Sequence, residues 1–276
     1  MMRLLLIIMA LLPPIFAFSA DKDEIDTPYM ERVAMADSAI NKEDWPLALD
    51  LLHQAILIEP ENPGNIMLMS NIGMLEFNLG QDSLAIQTLN EAHRRAPKSV
   101  TILSNRARVL TALGAESEAL DDYNRVMELD STQVSARFNH GLLSLRLRKY
   151  RDARADFDYM TAHFPDAYET KLGNATMYCA VGEYAAAIPY YSDLLDKHKE
   201  PEFYGARAFC RLQTGDLDGA SDDIGRALEL DPDDGELYLY RAALNKMRYM
   251  PDDARRDAQR AVDLGIDPAR AAEFLK

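Results

Sequence analysis

Apolar residues recur along this chain at intervals of three and four, as in Leu217, Ala220, Ile224, Ala227 and Leu228. That is the spacing of one helix face, and no stretch shows the strict alternation of a half-buried strand. The helical segments themselves repeat. One alanine column reads Ala48, Ala85, Ala119, Ala153, Ala187, Ala220 and Ala254, with successive spacings of 37, 34, 34, 34, 33 and 34 residues. Twelve residues earlier stands a second small residue each time: Ala36, Gly73, Ala107, Gly141, Ala175, Ala208 and Ala242. Seven units in register predict seven pairs of antiparallel helices that cross where a side chain of Ala or Gly lets the backbones approach.

The punctuation between the helices agrees. Gly80-Gln81, Gly114-Ala115, Gly182-Glu183 and Gly215-Asp216 mark a turn inside four units, and Trp45, Tyr150, Tyr184 and Leu217 fill the wedge beside it. Pro60, Pro97, Pro165 and Pro232 close the second helix in four units, while Ser131, Lys199 and Ile266 take that place in three others. Pro189 falls late in a second helix. A hairpin this short cannot bury its own apolar faces, so the units must stack on one another.

The period, both small columns and the closing prolines resemble the tetratricopeptide repeat family over residues 29–268. That resemblance implies an all-α, right-handed superhelical solenoid of seven hairpins. It also implies a concave groove, lined by first helices, that binds proteins or extended peptides. On the family's register the groove residues are Phe77, Arg108, Phe138, Leu142, Arg146, Phe209, Leu212 and Lys246. Aromatics mixed with scattered cations suit a peptide with apolar anchors and an acidic group. The competing expectation is that several of these residues simply pack between adjacent units. After Gly265, residues 269–276 are expected to form a short capping helix that places Phe274 and Leu275 on the last apolar edge.

Two polar columns accompany the small ones. Arg106, His140, Asn174, Arg207 and Arg241 precede the first small column by one residue, and Asp122, Asp156, Tyr190, Asp223 and Asp257 follow the alanine column by three. In the first two units the same places are Met35 with Leu51 and Ile72 with Thr88. The columns change character together, which predicts that they meet as partly buried pairs holding helix register.

Charge narrows the partners. Against 30 Lys and Arg stand 45 Asp and Glu, a net charge of −15. So acidic a surface repels phosphate, which argues against nucleic acid as a ligand. The five histidines are scattered, and no zinc, phosphate-loop or nucleophile motif occurs, so neither catalysis nor a cofactor or metal is expected. Asp231-Pro232-Asp233-Asp234-Gly235 has Ala242 where a calcium loop needs its bidentate Glu, and reads as helix-capping turn chemistry. Cys179 and Cys210 lie two residues out of register on first helices of adjacent units. Helix axes pack about 8–10 Å apart, so these two are expected as buried, unpaired thiols.

The first twenty residues read differently from the rest. Arg3 precedes an apolar run from Leu4 to Phe18, interrupted by Pro13 and Pro14 and ended by small residues before the acidic Asp21-Lys22-Asp23-Glu24. This is the layout of a secretory signal peptide, followed by a linker over 21–28. The run is too short and too broken for the roughly 20 apolar residues of a spanning helix. Together these features describe a non-catalytic binding scaffold, periplasmic or secreted, without stable membrane insertion after cleavage. A structural subunit of an envelope complex that binds through its convex face or ends is the alternative. An enzyme using groove carboxylates is a more distant one. Intact-mass measurement of the native protein should place its first residue at Ala20 or Asp21; retained Met1 on protein that sediments with membranes would contradict export.

Overall fold

The structure is a computed structural model and describes residues 27–275. The proposed signal peptide, and the linker up to residue 26, lie outside the described residues. Thr27 is the N-cap of the first helix, its side chain accepting a hydrogen bond from the Met30 N–H. The last part of the expected linker is therefore already helical, because Pro28 suits a first helical position.

Among the described residues the regular structure is helical. The first three hairpins are α1 (Pro28–Ile40) with α2 (Trp45–Ile58), α3 (Asn65–Asn78) with α4 (Asp82–Arg95), and α5 (Val100–Ala112) with α6 (Glu116–Leu129). Then follow α7 (Val134–Arg146), α8 (Tyr150–His163), α9 (Tyr168–Ala180) and α10 (Tyr184–Leu195). The series closes with α11 (Pro201–Thr214), α12 (Leu217–Leu230), α13 (Gly235–Met247), α14 (Pro251–Asp263) and the single turn α15 (Pro268–Ala271). The chain divides into two compact units, one running up to Leu143 and the other from Ser144 onward, so the boundary falls within α7. Pro189 sits inside α10 without ending it.

The small columns do what their volume allows. All twelve alanines of the two columns are 0–3% exposed, and Gly73 and Gly141 are buried. In the N-terminal unit a Cβ on Gly73 would lie 2.6 Å from Leu89 Cγ, so α3 and α4 already touch there. Each hairpin turn carries one residue in the left-handed region. Gly80, Gly114, Gly182 and Gly215 fill it with φ between 73° and 82°, whereas Glu43, Arg148 and Tyr249 adopt it with side chains, at φ 58–59°. The last three bear a steric cost of roughly 1–2 kcal/mol each that glycine would not.

The polar columns meet. Arg106 grips Asp122 through two hydrogen bonds of 2.7 and 2.6 Å in the N-terminal unit. In the C-terminal unit Arg207 holds Asp223 at 2.9 and 2.7 Å, and Arg241 holds Asp257 at 2.9 and 2.6 Å. Two donors the columns did not foretell join them: Arg211 to Asp223 at 2.9 Å and Asn245 to Asp257 at 2.9 Å. Both stand four residues beyond the arginine column, one turn along the same helix face. Asn174 differs. Its amide donates to Thr161 Oγ1 and to the Thr170 carbonyl rather than reaching Tyr190, whose ring stacks on Tyr178 at 5.8 Å. A short amide finds a nearer acceptor than the residue an arginine can span.

In the C-terminal unit, Asp267 caps α15 by accepting from the Ala269 N–H, so this helix starts at Pro268, one residue before the expected cap. Phe274 and Leu275 pack against the buried cluster of Leu239, Ala242, Ala258, Ala261, Ile266 and Ala271.

Asp223 is 1% exposed and serves two guanidinium groups. Asp223→Ala should therefore lower unfolding free energy by about 3 kcal/mol or more, because it strands buried positive charge. Replacing Arg207, Arg211 and Asp223 together by apolar residues of similar volume should recover much of that loss. Chemical denaturation of the single and triple variants checks both statements.

Candidate functional site

The eight expected groove residues do not form one surface. Phe138 and Leu142 are wholly buried and Leu212 nearly so, which corrects their assignment: these three are core and present nothing to a ligand. The reason lies in the stacking, where an apolar side chain on a first helix is worth more against its neighbours than in water. Arg146 is half-buried. Phe77 is half-buried against Met74, Ala85, Leu89 and Val109 in the N-terminal unit. Arg108 is half-buried in the same unit, where loss of water presses its guanidinium below the usual arginine value.

That unit also buries more polarity than apolar periodicity suggests. Ser70, Asn71 and Asn105 are buried on α3 and α5, and the Asn105 amide donates to Ser70 Oγ at 3.1 Å. Glu76 is 2% exposed, and burial raises its carboxyl above the normal range, partly offset by a hydrogen bond from Thr88 and by nearby His53. Asn71 and Asn105 are 34 residues apart, and Asn139, buried as well, continues the spacing on α7. The repeat was visible in the sequence, but polar residues two places before a small column gave no sign of being buried.

In the C-terminal unit the first helices carry aromatic rings. Phe209 on α11 stands edge-on to Tyr184 with ring centres 5.5 Å apart, and 5.7 Å from Tyr240 on α13. Burial, with Glu236 close by, pushes the Tyr240 hydroxyl up. Phe209 thus bridges two hairpins while keeping part of its ring in water.

Lys246 is the expected site residue that the structure leaves open. Its ammonium pairs with Glu273 at 2.6 Å and lies 5.3 Å from the centre of the Phe274 ring. It borders a depression of about 570 Å³ lined by Gly215, Leu217, Ala243, Met247, Tyr249, Glu273 and Phe274. Beside it the surface is unusually apolar. Tyr249 is 93% exposed, and Met247 and Met250 are 44% exposed. Sequence reasoning missed Tyr249, although a clue existed: it occupies the turn position that four other units fill with glycine. Among the described residues no group of three or more His, Cys, Asp or Glu is placed to hold a metal ion. None of the described helices is long and apolar enough to cross a membrane.

Known proteins carry the same pattern. The sequence profile described as tetratricopeptide repeat matches residues 138–199 and 172–235, a stretch that holds the small-residue pairs of three of the seven hairpins. A solved tetratricopeptide repeat protein from Parabacteroides merdae is 27% identical, covers 90% of this chain and 97% of its own, and superposes with a TM-score of 0.68. The chain carries tetratricopeptide repeats. Its fold is the all-α hairpin solenoid of these repeats. An Hsp70-Hsp90 organizing protein of Triticum aestivum is 26% identical over 160 residues, 49% of this chain and 27% of the relative. The chain therefore spans about a quarter of that relative's length. YrrB, a tetratricopeptide repeat protein described as having an unusual peptide-binding site, has the same fold at a TM-score of 0.55 and 18% identity. It covers 67% of this chain and 96% of its own. Repeats of this type are scaffolds for protein–protein interaction.

Proposed function

We propose that this chain is a non-catalytic adaptor that captures an extended peptide of a partner protein on its C-terminal unit. One observation carries the reading: Tyr249, Met247 and Met250 stay in water beside an open depression whose rim holds Lys246. Exposed aromatic and methionine side chains grouped around a concavity are the composition of an interface centre. Methionine adapts its shape to a guest, and tyrosine gives contact area at little entropic loss. Lys246 adds a preference for a carboxylate on the peptide, with Glu273 holding that position in the free protein. The likeness to organizing proteins and to a peptide-binding repeat protein supports this class of partner.

The apolar leader of the sequence supports a site of action outside the cytoplasm, in the periplasm or beyond the cell, without stable membrane insertion after cleavage. The net charge of −15 disfavours nucleic acid as a partner. The exposed apolar side chains around this depression also suit the second reading, a structural subunit of an envelope complex.

Cross-linking from a residue substituted with a photoreactive amino acid at Met247, in the native envelope, tests capture directly. Binding of the captured peptide should fall at least about tenfold in Lys246→Glu and in Tyr249→Ser, roughly the loss of a hot-spot contact. Glu273→Gln should instead tighten it several-fold by freeing the ammonium. A peptide that binds all three variants equally would overturn the assignment of this face. Tyr249→Gly separates the two roles of that residue. Relief of the left-handed backbone should raise stability by roughly 1 kcal/mol in thermal unfolding, while binding weakens.

A further inference from the structure

The two cysteines of the chain are not isolated from each other. Cys179 on α9 and Cys210 on α11 are 3% and 0% exposed, and their sulfurs stand 2.9 Å apart within the C-terminal unit. Both are free thiols in this structure. The two-residue offset that argued against contact is absorbed by the packing of α9 beside α11, so that side chains from different turns face one another. A disulfide bond of about 2.05 Å requires the sulfurs to close by about 0.9 Å.

Their environments are unequal. The Cys179 thiol is held below its ordinary value because Cys210 donates to it, and the Cys210 thiol is raised by the same contact and by burial. The wholly buried Tyr191 lies beside them, its hydroxyl pushed well up by burial and by the sulfurs. Cys179 is thus the better nucleophile of the two.

We infer that Cys179 and Cys210 are a disulfide-forming pair that ties α9 to α11 whenever the chain meets a disulfide-bearing oxidant. The Cys179 thiolate attacks one sulfur of the oxidant and displaces the other as a thiolate. Cys210 then attacks the Cys179 sulfur of that mixed disulfide, forming the Cys179–Cys210 bond and releasing the second thiol. Two protein thiols are oxidised and one disulfide of the oxidant is reduced to two thiols. Because both sulfurs are buried in the folded chain, the exchange takes place during folding or when the hairpins α9–α10 and α11–α12 open locally. The bond would close a segment of 31 residues' separation and stabilise the unit chiefly by restricting its unfolded ensemble. It does not depend on the peptide-binding reading.

The test uses the full chain, reduced and then freed of reductant. One sample stays native with oxidised glutathione, and another is unfolded and refolded in a glutathione redox buffer. Formation of the bond lowers the intact mass by about 2 Da, blocks maleimide labelling after denaturation, and links the peptides containing Cys179 and Cys210. Thermal unfolding should shift up by about 5 °C or more, a change that reductant reverses and that Cys179→Ala/Cys210→Ala lacks. Cross-linking in either sample supports the inference. Two maleimide adducts in both samples, or glutathione adducts on the cysteines without the cross-link, would overturn it.

Discussion

The architecture depends on how closely the two helices of a hairpin approach at the small-residue columns. At Gly73 the backbone of α3 lies so near Leu89 that one added carbon would sit 2.6 Å from it. Close approach lets the long side chains before and after the crossing interleave. Leu52, Leu89, Tyr123 and Phe157, each four residues past the alanine column, are all at most 1% exposed. The same contact directs the remaining apolar face of each hairpin outward, toward the next one. Stacking then follows from geometry, since that face has no other cover.

Apolar packing alone sets helix register weakly, because alanine slides against alanine at little cost. The buried Arg–Asp pairs supply what the alanines lack. A carboxylate that accepts two parallel hydrogen bonds from one guanidinium fixes both the distance and the rotation of its helix. Asp223, with a third bond from Arg211, does so in a nearly water-free setting. The first two hairpins carry no such pair at these columns. There the alignment rests on larger apolar contacts, with Val33, Leu51, Leu52, Ile72 and Leu75 in one cluster.

Local rules explain what could be read directly from the chain. Ala and Gly at fixed spacing reveal a crossing, glycine a left-handed turn, and co-varying polar columns a contact, because each depends on residues within one repeat. The face for a ligand was harder to read. Leu142 shares its register with Phe209, and Leu212 with Lys246, yet Leu142 and Leu212 are buried while Phe209 is half-buried and Lys246 is exposed. Which side chain is covered depends on what the next hairpin places against it, and that is decided by packing between repeats. The meeting of Cys179 and Cys210 was hidden for the same reason, since sequence offset measures position along a helix and not the stagger between neighbours.

The hairpin α13–α14 shows how an exposed apolar surface can arise within such a regular plan. At its turn the chain keeps tyrosine where glycine would be the easier backbone choice, with the ring almost fully in water. Two methionines flank it, and the terminal Phe274 covers the apolar edge from the other side, leaving a hollow between them. Glu273 and Phe274 cover only part of this hollow, and Lys246, Met247 and Tyr249 stay accessible beside it. The stability forgone at the strained turn and the exposed methionines is small beside the packing of seven hairpins, so the fold tolerates it.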